Sequence, residues 1–208
     1  MPRARVPAIW SGGRRRLGLD PAFGPWVRHV GPVRIPARTE DPFHYLARAI
    51  VYQQLAGAAA RTIHGRFVEA LTGEVTPERV LLTPEPILRG AGLSRNKLAA
   101  IRDLAIKVRS GEVQVGDLHE QSDSEVTRRL TLVRGIGPWT AHMYLMFRMH
   151  RPDVWPVGDL GVRAGFAKIH GMPEPPTQKE LEPLGDAYRP WRSAAAYYCW
   201  RALETELP

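Results

Sequence analysis

Between Thr131 and Ala141 the chain reads TLVRGIGPWTA. A Gly-Ile-Gly turn set between two helical stretches exposes backbone amides at the next helix's N-terminus, where nothing inside the helix pairs with them. With the helix dipole, those amides suit a phosphate group. One short loop later comes an acidic residue, Asp159, in WPVGDLGVR. Placed directly ahead of Leu160, it is a natural helix cap, and its neighbours alone favour that role.

The bulk numbers agree with a phosphate-bearing partner. Among 208 residues, 29 Lys and Arg outnumber 21 Asp and Glu, for a net charge of +8. That balance favours a polyanion and argues about association, not fold. The length allows one substantial core or two small lobes. A single cysteine, Cys199, excludes an internal disulfide and any cysteine-built zinc or iron–sulfur site. The opening MPRARVPAIWSGGRRR has no apolar h-region, so it does not read as a secretory signal. No apolar run is long enough to span a membrane. The expectation is a cytoplasmic protein.

The elements that must position these residues read as helices throughout. Residues 1–42 are rich in Pro, Gly and Arg and read as an arm wrapping the domain, with apolar spots at Trp10, Phe23 and Trp26. From Asp41-Pro42 the pattern turns helical, with Phe43, Leu46, Ala47, Ile50 and Val51 on one face. Beyond the polar pair Gln53-Gln54 the spacing continues at Ala59, Ile63, Phe67 and Leu71. Short helices are predicted over 77–82 and 84–90, and a longer one over 97–108 with Leu98, Ile101, Leu104, Ala105 and Val108 inward, ending at Gly111. Ser122 and Glu125 have capping-box spacing ahead of Val126, Leu130 and Val133. Pro138 suits the first turn of the next helix, which carries Ala141, Met143, Tyr144 and Phe147. Further helices are predicted from Asp159 through Ile169, over 178–187 and over 190–203, with an irregular connection at Pro173, Pro175 and Pro176. The fold class is all-α.

With these motifs in place, the chain resembles the helix-hairpin-helix base-excision DNA glycosylases, and within them the alkylated-base branch, 3-methyladenine DNA glycosylase II. The resemblance covers roughly residues 20–204 and rests on five ordered blocks: AIVYQQLAGAAA, GLSRNKLAAI, LVRGIGPWTA, PVGDLGVR and YRPWRSAAAYYCW. It implies two helical lobes with the active-site cleft between them, in a compact form without the N-terminal β-rich domain of longer relatives. Residues 1–42 would form the arm and the start of the terminal lobe, 43–155 the central lobe with the hairpin at about 122–149, and 156–208 the aspartate loop and closing helices.

The resemblance also assigns roles. Asp159 falls on the family's catalytic aspartate. Cleaving an N-glycosidic bond builds positive charge on the deoxyribose, which a carboxylate stabilises while water attacks; the capping role need not exclude this. Trp139 stands where the backbone-cutting members carry a Schiff-base lysine, so the chain would be monofunctional, releasing the base and leaving an abasic site. Trp139 and Trp200 match aromatic positions of the base pocket, where electron-rich rings stack on a flipped, cationic alkylpurine; the bland reading is core aromatics. Tyr198 is placed near the same pocket, Met143 stands where the pattern often has tyrosine, and Trp191 is read as a fold anchor.

Gln54, with Leu55 beside it, lies at the intercalating wedge that fills the gap in the duplex; Gln53 is read as a helix break bonding backbone. DNA backbone contacts are assigned to the amides around Arg134, Gly135 and Gly137 and to Thr140, with Lys97 and Arg163 as further phosphate contacts. Hairpin carbonyls of Thr131, Val133 and Ile136 would hold a monovalent cation. No other cofactor is implied, and no iron–sulfur cluster. The implied partner is damaged double-stranded DNA, with a monomer sufficient. Two other readings stay open: a monofunctional glycosylase of the same fold for uracil, hypoxanthine or another lesion, and a non-catalytic helix-hairpin-helix DNA-binding module.

Overall fold

Helix caps decide where most elements begin in the computed structural model, which describes residues 8–36 and 38–207. The first seven residues of the expected arm lie outside the described ones. Among the described residues there are helices and turns and no strand. The chain divides into a central unit, Thr39–Ala141, and a terminal unit made by the segments flanking it.

In the central unit, α3 (Pro42–Tyr52) starts where Asp41 accepts the Phe43 amide at 2.8 Å, with Pro42 in the first turn. Phe43, Leu46, Ala47, Ile50 and Val51 are buried, as predicted. Helix α4 (Gly57–Ala70) buries Phe67, and Leu71 after it, as predicted; at its start Ala60 is buried and Ala59 exposed, so only the first position of the expected face differs. Two short helices, α5 (Pro77–Leu82) and α6 (Glu85–Gly90), lead to α7 (Arg95–Ser110). Ser94 accepts the Lys97 amide at 3.2 Å, which starts α7 two residues before the predicted onset. Gly111, with φ of 81°, closes it in the left-handed region. Helix α8 (Asp123–Thr131) is capped by Ser122, but the Glu125 carboxylate turns to Arg128 and Arg129. Only half of that expected capping box forms; the reciprocal box is at Thr177 and Glu180. Helix α9 (Pro138–Phe147) follows the hairpin.

In the terminal unit the N-terminal arm, for which the sequence predicts no regular element, contains two helices, α1 (Ser11–Gly18) and α2 (Phe23–Val30). Their periodicity is hidden because α1 packs through glycine: a Cβ at Gly12 would lie 2.3 Å from the Trp191 ring, and one at Gly13 2.8 Å from the Ala194 Cβ. Trp191 thus anchors the fold. Helix α10 (Leu160–His170) follows Asp159; α11 (Gln178–Leu184) passes into a 3-10 turn at Gly185–Tyr188 and then α12 (Arg192–Leu203). Phe23, Phe166, His170 and Tyr188 form an aromatic cluster, with the His170 ring stacked 4.1 Å from Phe166.

Residues 142–155, grouped by sequence with the central lobe, pack in the terminal unit. Ser193 explains this: its hydroxyl donates to the Arg151 carbonyl at 2.7 Å and accepts the Val154 amide at 3.0 Å. Arg192 grips Asp153 through Nε at 2.7 Å, and the Trp10 indole donates to the His150 carbonyl at 2.9 Å. Arg192 is therefore structural, with its partner 39 residues away.

Candidate active site

In the terminal unit, Asp159 sits at the N-cap of α10 in an extended conformation. Its Oδ1 accepts the Val162 amide at 2.8 Å and the Trp200 indole N–H at 2.9 Å. The capping role is thus realised, and a second donor from α12 converges on the same oxygen. The Trp200 ring lies 5.7 Å from Phe147, tilted by 31°, and is partly exposed.

Two residues assigned here behave differently from expectation. Tyr198 is 0% exposed and donates its hydroxyl to the Gly31 carbonyl at 2.8 Å. Burial pushes that hydroxyl up to about 12. It is a core residue and no wall of a base pocket, because successive helix residues point in different directions and Trp200 takes the exposed side. Arg163 donates to the Pro176 carbonyl at 3.3 Å, bracing the proline-rich connection, so it is not an exposed phosphate contact. Met143, on α9, is half-buried.

In the central unit the hairpin turn links α8 to α9. Arg134 donates its amide to Asp103 Oδ2 at 2.7 Å, and Ile136 donates to the Val133 carbonyl at 3.1 Å. Two of the amides assigned to DNA are therefore used inside the protein. Those of Gly135 and Gly137 have no hydrogen-bond partner among the described residues, and both glycines are exposed. Gly135 takes φ of 78°, the conformation that turns the chain there. Thr140 is buried, and its hydroxyl accepts from Gln53 Nε2 at 3.3 Å, so the side chain faces inward. Trp139, 47% exposed, stands in the first turn of α9.

The same Gln53 amide donates to the Gly135 carbonyl at 3.0 Å. Helix α3 does break at Gln53, and the backbone it bonds is that of the hairpin glycine. Gln54 follows with φ of 56° and is exposed; Leu55 is 36% exposed beside it. Lys97 reaches across to the Val51 carbonyl at 2.7 Å, capping the last turn of α3, and burial lowers its pKa. One N–H of the ammonium thus serves a helix C-terminus. Gln54, Ser94, Asn96, Lys97 and Gly135 line a polar cavity of about 250 Å³.

The carbonyls of Thr131, Val133 and Ile136 are neutral oxygen donors of the hard kind an alkali cation takes. The turn also carries a cation of its own, because the Lys107 ammonium meets the Leu132 carbonyl at 2.5 Å and Asp103 at 3.3 Å. Sequence reasoning missed Asp103 and Lys107; their i,i+4 spacing on α7 was legible, their contact with a turn about 30 residues away was not.

The glycine hairpin and the Asp159 cap of α10 both lie within one family match. The family model described as HhH-GPD superfamily base excision DNA repair protein matches residues 47–190. The chain belongs to this superfamily. Among curated HhH-GPD relatives, DNA-3-methyladenine glycosylase 1 of Schizosaccharomyces pombe is 35% identical over 88% of this chain and 83% of its own length. The structure of the S. pombe 3-methyladenine DNA glycosylase in complex with abasic DNA superposes with a TM-score of 0.84, at 32% identity, covering 95% of this chain and 98% of that one. A DNA-3-methyladenine glycosidase from Bacillus halodurans gives 0.85, also at 32% identity, covering 97% and 94%. The HhH-GPD fold accounts for the all-helical architecture of the described residues. No helix among the described residues is long and apolar enough to cross a membrane.

Proposed function

We propose that this HhH-GPD protein is a monofunctional glycosylase that hydrolyses the N-glycosidic bond of alkylated purines in duplex DNA and leaves an abasic site. The observation that carries the reading is the Asp159 carboxylate, fixed at the head of α10 by two N–H donors, in a chain similar along most of its length to 3-methyladenine glycosylases.

The chemistry asks little of the protein. A purine alkylated at N3 or N7 carries positive charge and leaves with the electron pair of the C1′–N bond. Positive charge then builds on the sugar, where the Asp159 carboxylate stabilises it electrostatically while water adds to C1′. Neither step needs an acid as strong as a neutral base would require. Trp139 has no amine, so no covalent sugar adduct forms and the strand stays intact. Its exposed indole is suited to stack on a flipped cationic base.

The Gly135 and Gly137 amides would hold a phosphate next to the lesion, with Gln54 and Leu55 as the wedge. A monovalent cation on the carbonyls of Thr131, Val133 and Ile136 would add positive charge beside that phosphate. One lesion site per chain makes a monomer sufficient, and the place of action is cytoplasmic DNA.

The test incubates the protein with duplexes bearing methylated purines, hypoxanthine or uracil, scoring released base separately from strand breaks. Methylpurine release, with breaks only after alkali, is the expected result. Release of hypoxanthine or uracil alone, or breaks without alkali, contradicts the reading, as does tight binding with no base released.

A further inference from the structure

The bond from the Trp200 indole to Asp159 Oδ1 joins residues 41 positions apart on different elements. Capping does not require it. A helix cap needs a side-chain oxygen for an amide of the first turn, and Val162 already supplies that amide. The second donor fixes something a cap leaves loose, the orientation of the carboxylate plane.

Two glycines one turn apart on α10 make room for this bond. A Cβ at Gly165 would lie 2.0 Å from the Cys199 carbonyl oxygen, so α10 and α12 meet there backbone to backbone. A Cβ at Gly161 would lie 2.8 Å from Trp200 Cδ1, 3.1 Å from its Nε1 and 3.1 Å from Asp159 Oδ1. The indole therefore reaches the carboxylate across a space that any larger residue at 161 would fill. Tyr198 and Cys199, both fully buried, fix the rotation of α12 that aims Trp200 at it.

We propose that Trp200, seated by Gly161, is a positioning residue that fixes Asp159 for cleavage of the glycosidic bond, and is more than a wall for the target base. This rests on the proposed function. Hydrogen bonds to a carboxylate are among the stronger ones in proteins, and reacting groups lose rate steeply when misplaced. Trp200 thus acts on the rate of bond cleavage, while a stacking wall acts on how well damaged DNA is held.

The test replaces Trp200 by 3-benzothienylalanine, which keeps the bicyclic shape and carries sulfur where the indole has N–H. Gly161→Ala is the second variant, touching neither partner chemically. Methylpurine release from methylated duplex is followed in single turnover as enzyme is raised to saturation, with thermal melting to establish folding. The expected result in both variants is a saturating rate lower by about tenfold or more, with half-saturation within about twofold of wild type. The indole ¹H–¹⁵N resonance of Trp200 should also move in Asp159→Asn. Wild-type saturating rates in the two variants, or a loss confined to half-saturation, overturn the proposal while wild-type base release leaves the functional reading intact. A wild type that releases no base overturns both.

Discussion

The Gln53 side-chain amide donates to the Gly135 carbonyl at 3.0 Å, fastening the end of α3 to the glycine turn of the hairpin. It also reaches the buried hydroxyl of Thr140 in the first turn of α9. One side chain thus links the loop bearing Gln54 to the turn that carries the unbonded Gly135 and Gly137 amides. The left-handed conformation of Gln54, uncommon for a residue with a side chain, is held from its N-terminal side by this anchor.

Gln53→Ala removes both bonds and leaves Thr140 without this partner. A net hydrogen bond of this kind contributes about 1 kcal/mol, so the melting temperature should fall by about 2–4 °C. An unchanged melting curve would show that the bridge does not constrain the folded protein.

Acid should weaken the central unit through a histidine pair. His44 and His64 face each other with their Nε2 atoms 3.1 Å apart. Burial is the largest cause lowering both from 6.5; His64 is pushed down to about 4, with His44 and Arg48 adding to the effect. Because the folded value lies below the unfolded one, the unfolded chain takes up the proton first. The stability is fully present above about pH 6.5 and is lost as pH falls from there toward about 4. Melting curves from about pH 7.5 to about pH 4.5 should fall more steeply for wild type than for His64→Gln, since other acid effects are common to both. Parallel curves would contradict the assignment.

Gly135→Ala tests the hairpin. The new Cβ meets the Ala100 Cβ at 3.2 Å and forces a left-handed conformation on alanine. The proposed phosphate contact of the turn's amides reads no base, so affinity should drop alike for damaged and undamaged duplex. The slope of log K against log salt should shrink by about 1, the loss of one phosphate contact. A loss restricted to damaged DNA would place the hairpin at the base and not at the backbone.

What sequence made legible follows the range of the interactions. Local signals were dependable: Asp41-Pro42 starts α3, Gly111 ends α7, and Asp159 caps α10 where its neighbours indicated. The glycine hairpin and the polar break at Gln53-Gln54 could be read because each interrupts a helical period. Long-range choices could not. Nothing in the spacing of SRNKLAAI tells that the Lys97 ammonium will turn back to the Val51 carbonyl, or that Asp103 will take the Arg134 amide. Glu125 fits a capping box by spacing yet is drawn to two arginines, which hold its carboxyl down at about 2. Tyr198 and Trp200 are two residues apart in one aromatic run, and only the close approach of α12 to the glycines of α10 decides that the first is core and the second meets Asp159.

The catalytic role proposed for Asp159 is decided by Asp159→Asn. Asparagine keeps a side-chain oxygen for the Val162 amide and is as good a helix cap, so the fold and the affinity for DNA should survive. Single-turnover release of methylpurine from methylated duplex at saturating enzyme should fall by about a hundredfold or more, with melting temperature and DNA affinity close to wild type. Release at the wild-type rate by a folded Asp159→Asn protein would contradict the central claim and leave Asp159 as a helix cap alone.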